Sequence, residues 1–217
     1  MSFDPGLVGV TECLTCDQLL QGYSYGFFPW SGKPAHWHCP DPRAVFELER
    51  LTFPKRLLRT VRQARYRVTF DQAFRAVIEA CRDHHRGNTW IDDVIIDCYT
   101  QLHQRGYAHS VEVWDAEELV GGLYGVQIHR LFAGESMFSK ERDTSKIAFY
   151  HLCQKLKSLG VTLFDAQVAN MHTRSLGVRE IPRYIYMERH RKAIEGEGSG
   201  AVSWAEPDQA PNLSSNP

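Results

Sequence analysis

The chain has 217 residues, 43% of them hydrophobic, which is enough for a substantial core and excludes a globally disordered protein. Its formal net charge of −1 excludes nucleic-acid binding through overall charge, so any such contact needs a local basic patch. The N-terminal segment MSFDPGLVGVTEC has no basic stretch followed by an apolar run, and no apolar run reaches membrane-spanning length. We therefore expect a cytoplasmic protein with no membrane partner.

The first helix is predicted within residues 1–50, which we expect to form a small N-terminal domain. Gly, Pro and aromatic residues are dense there, and this composition favours short elements and loops. Thr15, together with Asp17, is placed to cap a helix that reaches about Gly22. A basic stretch follows at residues 55–67, and its apolar residues repeat at helical spacing, which predicts a second helix. The cations of this stretch include Lys55, Arg56, Arg59, Arg62 and Arg65.

The main domain is predicted over residues 51–192, and its elements change from helices to strands and back. Helices are expected at 71–81 and 91–104. Three segments rich in β-branched and aromatic residues then predict an antiparallel meander, at 109–114, 118–126 and 131–138. The remaining predicted elements are a helix at 145–159, a buried strand at 161–165 and a helical turn at 172–176. This order indicates an α+β or α/β domain with one central sheet. The Gly-, Ser- and Pro-rich residues 193–217 are expected to be a disordered tail.

The six cysteines are scattered along the chain, whereas disulfide-stapled secreted proteins are usually shorter and denser in cysteine. We therefore expect reduced thiols. Cys13 and Cys16 form a CxxC pair, and His36, His38 and Cys39 could complete a tetrahedral zinc site. Because the spacing between the two halves matches no strong zinc signature, no metal is predicted, and zinc stays an open alternative.

Three stretches carry candidate chemistry. The glycines of residues 121–125 indicate a close approach of backbone or ligand, or equally a bulged strand. Glu135 lies in apolar surroundings, where a carboxylate needs a cationic partner or a proton. Asp165 ends a buried strand, a frequent position for catalytic groups, and Gln167 would share its side of an extended backbone. The alternative for Asp165 is a helix N-cap.

Several separated motifs lie along about residues 6–188. They are Gly26-Phe27-Phe28-Pro29-Trp30, Pro40-Asp41-Pro42-Arg43-Ala44-Val45, Thr89-Trp90-Ile91, Ala108-His109-Ser110-Val111-Glu112-Val113-Trp114, Leu119-Val120-Gly121-Gly122-Leu123-Tyr124-Gly125-Val126, Gly134-Glu135-Ser136-Met137-Phe138-Ser139, Ser145-Lys146, Ser175-Leu176-Gly177 and Glu180-Ile181-Pro182-Arg183. In their order and spacing, these motifs closely resemble those of bacterial leucyl/phenylalanyl-tRNA–protein transferases.

The resemblance implies an α+β, GNAT-like acyltransferase domain with a central mixed sheet, preceded by a small N-terminal domain. It implies transfer of Leu, or of Phe or Met, from charged tRNA to proteins that begin with Arg or Lys, marking them for degradation. The aminoacyl ester is already activated, so no cofactor is expected, and the enzyme is expected to be a monomer.

Residue by residue, Asp165 and Gln167 match the family's catalytic Asp-x-Gln, and Glu135 matches its acidic residue. The residues expected to bind the substrates are Trp37, His38, Trp90, Tyr99, Leu123, Phe132 and Asn170. The basic stretch 55–67 would contact phosphates of the tRNA acceptor stem. Asp165 would orient or deprotonate the attacking amine, or the terminal ribose of the tRNA would take the proton; both routes stay open. Glu135 would offer negative charge to the incoming Arg or Lys.

The chain departs from the family's usual pattern at three positions. His38 stands where a second Trp is common, His129 where Gly is usual, and Asp143 where Asn is usual. These departures leave open which amino acid is transferred. One rival interpretation is a CoA-dependent N-acyltransferase, but the turn at residues 140–145 contains no glycine for a pyrophosphate. The other is an inactive tRNA- or degron-binding module, against which the retained Asp165, Gln167 and Glu135 argue.

Overall fold

A small antiparallel sheet and one helix begin the fold. The structure is a computed structural model that describes residues 4–84, 89–195 and 204. The strands are β1 (Leu7–Thr11), β2 (Phe28–Pro29) and β3 (Ala35–His38), in the order β1-β3-β2. Helix α1 (Cys16–Ser24) starts as predicted, because Thr15 and Gln18 form a capping box in which each side chain accepts the other's backbone N–H.

A seven-stranded mixed sheet forms the centre of the molecule, in the order β10-β4-β9-β8-β7-β6-β5. Its strands are β4 (Arg43–Phe46), β5 (Arg67–Phe70), β6 (Ala108–Asp115), β7 (Glu118–Ile128), β8 (Leu131–Ser139), β9 (Leu163–Gln167) and β10 (Arg179–Ile181). The predicted meander is confirmed as β6-β7-β8, and β8 and β9 are a parallel pair. Since β4 pairs with β9, the chain enters the central sheet at Arg43, inside the stretch predicted as the N-terminal domain.

Helices cover both faces of the central sheet. They are α2 (Lys55–Arg62), α3 (Phe74–His84), α4 (Asp93–Gln104), α5 (Thr144–Ser158), α6 (Met171–Ser175) and α7 (Arg183–Glu195). One core joins α1, α3 and α4 to the sheet, and a second core joins α2 and α5 to its other face. Because side chains alternate along a strand, neighbouring residues of β7 contribute to different cores. Leu123 belongs to the second core and Tyr124 to the first.

Two predicted boundaries differ from the structure. Helix α2 is shorter than the basic stretch 55–67, because the backbone turns left-handed at Ala64 (φ 47°) and then enters β5. Helix α7 continues through Glu195, into the stretch predicted as a disordered tail. Trp204 is 5% exposed and stacks on His109 with the ring centroids 4.2 Å apart. The rest of the predicted tail lies outside the described residues.

The structure also bears on the expectations about thiols, zinc and membrane spans. All six cysteines are free. Over residues 4–84, 89–195 and 204, no three His, Cys, Asp or Glu side chains are grouped so that they could hold a metal, so the zinc alternative receives no support. Among the helices of this described part, none is long and apolar enough to cross a membrane.

Candidate active site

The site lies where two parallel strands separate. Strands β8 and β9 pair at only three positions, the last being Ala133 opposite Asp165. Beyond this point β8 continues alongside β7 to Ser139, whereas β9 ends at Gln167. A cavity of about 670 Å³ opens between them, within the size range of small-molecule sites.

Glu135 interrupts the regular β7–β8 ladder, because β8 bulges there. Tyr124 pairs with Ser136 and Gly125 with Gly134, which leaves Glu135 as the extra residue. A Cβ on Gly125 would come within 2.4 Å of the Ala133 carbonyl oxygen, so this position requires glycine. Gly125 therefore allows a close approach of backbone and also lies at a bulge of the β7–β8 ladder, so both alternatives that the sequence left open occur here.

The Glu135 carboxylate accepts three hydrogen bonds from side chains. The Tyr23 hydroxyl and the Gln167 side-chain amide donate to Oε1 at 2.6 and 2.7 Å, and the Tyr99 hydroxyl donates to Oε2 at 3.2 Å. Burial, together with the negative charge of Asp165, raises the pKa of the Glu135 carboxyl from 4.5 to about 7, against the lowering effect of the Tyr23 hydrogen bond. Glu135 can therefore take up or release a proton near neutral pH.

Asp165 lies beneath the cavity in a fully buried ion pair. Arg43 donates to both of its carboxylate oxygens, through Nε at 2.9 Å and through Nη2 at 2.6 Å. The Tyr186 hydroxyl donates to Oδ2 at 3.0 Å, and the backbone N–H of Gln167 donates to Oδ1 at 2.8 Å. Each carboxylate oxygen thus already accepts two hydrogen bonds, which favours a supporting role over direct contact with substrate.

Gln167 connects the two carboxylates. Its backbone N–H bonds Asp165, its side-chain amide bonds Glu135, and the residue itself lines the cavity. Its φ of 60° is left-handed, a region that side-chain-bearing residues rarely occupy and that is concentrated at functional sites. The local conformation of Gln167 therefore decides where its amide points.

The cavity has an apolar side and a charged rim. Its apolar wall consists of Phe46, Leu123, Met137, Phe149, Leu152 and Phe164, and Trp30 and Trp90 also line it. On the rim, Lys146 at the start of α5 donates to Asp143 at 3.2 Å, and Arg56 of the basic helix lies 3.6 Å from the same carboxylate. The basic helix α2 thus reaches the cavity entrance.

Comparison with known proteins identifies the family of this chain. A family model described as leucyl/phenylalanyl-tRNA protein transferase matches residues 45–191, and a model of that family's N-terminal domain matches residues 12–41. The chain belongs to this family. A leucyl/phenylalanyl-tRNA–protein transferase of Gloeobacter violaceus is 48% identical over 184 residues, covering 83% of this chain and 94% of the relative. One of Pseudomonas syringae pv. syringae is 45% identical, covering 85% of this chain and 84% of the relative.

Among solved structures, L-PGS from Bacillus licheniformis aligns with a TM-score of 0.40 at 14% identity, over 76% of this chain and 57% of that one. A likeness of this strength adds nothing to the assignment. The resemblance deduced from the motifs is confirmed by the family match and the curated relatives, and so is the prediction of an aminoacyltransferase.

The predicted site residues of the transferase fall into two layers. The cavity is lined by Glu135, Gln167, Trp90, Leu123 and Asn170. Asp165 and Tyr99 lie behind this surface and bond residues that line it. Phe132 is fully buried and packs edge-on against the cavity residue Phe164, with centroids 5.5 Å apart. The structure brings these residues together at or directly behind the cavity surface. Their roles in the reaction stay predictions.

Trp37 and His38 are not among the residues that line the cavity, so their predicted contact with substrate stays a prediction. Trp37 packs over Gly22, where an added Cβ would meet its ring at 2.2 Å, and its indole N–H donates to Thr11 Oγ1 at 3.2 Å. His38 lies 3.1 Å from the Pro5 carbonyl through Nδ1, and its ring centroid is 4.2 Å from that of Trp30. Of these two, His38 touches a cavity residue, because it backs Trp30.

The other departures from the family pattern have local explanations. His129 has a φ of 50° in the exposed turn between β7 and β8, which explains why glycine is usual there. Asp143 has a φ of 65° before α5, and Asp and Asn both tolerate this conformation.

The predicted tRNA-binding cations differ in their exposure and in the ion pairs they form. Lys55, Arg59 and Arg62 are exposed on α2. Arg65 lies beyond α2 and donates to Asp115 and Glu141 at 2.8 and 3.0 Å, so its charge is locally balanced.

Among the residues that sequence reasoning missed are Tyr23, Trp30, Arg43 and Tyr186, which bond the two site carboxylates or line the cavity. Trp30 and Arg43 belong to motifs already quoted for the resemblance, which is the signal that could have found them. Tyr23 and Tyr186 reach the site from α1 and α7, and no local pattern indicates that they do.

Proposed function

We propose that this transferase moves leucine or phenylalanine from charged tRNA to the N-terminus of proteins that begin with Arg or Lys. The observation that carries the proposal is the chain Asp165–Gln167–Glu135 at the edge of a cavity with one apolar wall. Such a wall suits a hydrophobic aminoacyl side chain, and the carboxylate of Glu135 suits a cationic acceptor.

The donor requires little covalent chemistry from the protein. An aminoacyl ester already carries a leaving group, so the enzyme has to hold the acceptor amine against the ester carbonyl and stabilise the charge that develops. The side-chain amide of Gln167 is positioned to orient the amine or the ester, because it lines the cavity while its other hydrogen bonds fix it.

The acceptor must lose a proton before its nitrogen can attack. An α-amino group has a pKa of about 8, so most of it is charged at neutral pH. Glu135, with its pKa raised to about 7 by burial, attracts this ammonium and is suited to take its proton, since a base works best near the working pH. The neutral amine then attacks the ester carbon, and the tRNA ribose oxygen leaves with a proton.

The route of the proton distinguishes this scheme from the two considered from sequence. Direct deprotonation by Asp165 has little geometric support, because Asp165 is 1% exposed and ion-paired with Arg43 behind the cavity surface, whereas Glu135 lines the cavity. Proton transfer through the terminal ribose of the tRNA is compatible with Glu135 as the group that first accepts the proton.

Helix α2 is proposed to contact the phosphates of the tRNA acceptor end. Its exposed Lys55, Arg59 and Arg62 lie on the element whose Arg56 reaches Asp143 at the cavity rim. Phosphate contacts by lysine and arginine supply most of the non-specific affinity for nucleic acid. We further propose a GNAT-like arrangement of the main domain, because the parallel strands β8 and β9 diverge at the site. We also propose that the protein is cytoplasmic and monomeric.

The test mixes the purified protein with tRNA charged with labelled Leu, Phe or Met and with peptides that begin with Arg, Lys or Ala. We expect label from Leu or Phe on the Arg and Lys peptides, and strong loss of transfer in Gln167→Ala. Charged tRNA that binds without any transfer would instead indicate an inactive binding module. Transfer to the Ala peptide as fast as to the Arg peptide would refute the proposed acceptor preference.

A further inference from the structure

We infer that Arg43 is a positioning residue for the transfer reaction, acting through Asp165 on Gln167. The inference rests on the proposed function, because it concerns how the same cavity holds Gln167. Arg43 and Asp165 are each 1% exposed, and two nitrogens of one guanidinium bond the two oxygens of one carboxylate. Such a bidentate pair fixes the plane of the carboxylate, so Oδ1 is held where it accepts the N–H of Gln167.

Gln167 needs this support because its backbone is left-handed. A residue with a Cβ is disfavoured at a φ of 60°, and a local hydrogen bond to its N–H is one way to hold it there. With the backbone held, the side-chain amide reaches Glu135 Oε1 at 2.7 Å. Without the anchor, we expect residue 167 to relax towards extended backbone, which would carry its amide away from Glu135.

Two aromatic rings, from elements far apart in the sequence, pack against the guanidinium of Arg43. Its guanidinium carbon lies 4.8 Å from the ring centroid of Phe28, in the small N-terminal sheet, and 4.3 Å from that of Tyr186, on α7. The Tyr186 hydroxyl also bonds Asp165 directly. Tyr186 is therefore a second positioning residue, and its hydroxyl can be removed while its ring stays over Arg43.

The experiment measures single-turnover transfer rates for Tyr186→Phe and Arg43→Lys, each made in the wild-type protein and in Gln167→Ala. Thermal unfolding of every variant is recorded alongside. Tyr184→Phe is the matched control, because it also removes a tyrosine hydroxyl from α7, at a position that is 72% exposed.

In the wild-type background, we expect each variant to lower the maximal rate about tenfold with the KM for charged tRNA nearly unchanged, as for loss of a hydrogen bond to a charged group. In Gln167→Ala the same changes should have little further effect, because the group they position is gone. If the Gln167→Ala rate is too low to compare, the amide NMR signal of Gln167 decides: it should shift in both variants and stay in place in Tyr184→Phe.

Equal proportional losses in the two backgrounds, or an unmoved Gln167 amide, would overturn the inference, since general damage to the fold does not depend on the Gln167 side chain. Wild-type rates in both variants would overturn it as well. A wild-type protein that transfers nothing would reject the proposed function and this inference with it, whereas an active wild type with additive losses would reject the inference alone.

Discussion

The difference in free energy of unfolding between Glu135→Gln and wild type should grow in favour of the variant as pH rises. Burial raises the pKa of Glu135 from 4.5 to about 7, so the folded protein holds its proton more tightly than the unfolded chain does. The stability that this carboxyl contributes is therefore fully present below pH 4.5 and is lost as pH rises through about 7. Glutamine is nearly isosteric and never ionises, so the variant escapes this loss.

The size of the effect follows from the two pKa values. At about 1.4 kcal/mol per pH unit, the difference between 4.5 and about 7 limits the loss to about 3 kcal/mol. Between about pH 5 and pH 8.5, wild type should lose about 2.5 kcal/mol that the variant keeps. Any hydrogen bond that glutamine makes less well with Tyr23 or Tyr99 changes stability equally at both pH values and cancels from the comparison.

The assay is urea unfolding of wild type and Glu135→Gln at the two pH values, analysed as the change in their difference in free energy of unfolding. Glu12→Gln is the matched control, because it makes the same substitution at an exposed position away from the site. A difference for Glu135→Gln that is the same at both pH values would refute the reasoning that burial holds a proton on this carboxyl.

Three further predictions concern the other parts of the site. Arg59→Glu should weaken tRNA binding and lower the slope of log affinity against log salt by about 1, as measured by filter binding, while Arg75→Glu on α3 should leave the slope unchanged. Leu123→Ala should enlarge the apolar wall, raise transfer of Phe relative to Leu in competition assays, and lower stability by about 2–4 kcal/mol; an unchanged Phe-to-Leu ratio would argue against this wall as the donor pocket. Gly125→Ala should destabilise by about 1–3 kcal/mol in thermal unfolding, because the new Cβ meets the Ala133 carbonyl and the Phe132 ring, whereas Gly9→Ala has no atom within 4 Å and should be nearly neutral.

The sequence predicted those elements whose pattern is local. Thr15 and Gln18 lie three residues apart, and the meander follows from stretches of β-branched and aromatic residues joined by short turns. In contrast, β4 has four residues that are all buried, so it shows no alternation, and the prolines before it read as a loop. Its partner β9 lies some 120 residues away, a pairing that periodicity cannot indicate.

The same distinction applies to the site. Glu135, Asp165 and Gln167 were found because a family motif and a strand end drew attention to them. The hydrogen bonds that define their roles join residues 112 and 122 positions apart, as in Tyr23 to Glu135 and Arg43 to Asp165. A buried carboxylate indicates that a partner must exist, but only the fold identifies which arginine or tyrosine it is.

The contacts among Arg43, Asp165 and Tyr186 also have a consequence for the enzyme during its synthesis on the ribosome. Asp165 is neutralised by a residue from the start of the chain and bonded by Tyr186, which is synthesised late. A ribosome-bound chain that has not yet exposed α7 therefore lacks one of the groups that hold the site together. We expect nascent chains to remain inactive towards charged tRNA until α7 has emerged from the ribosome.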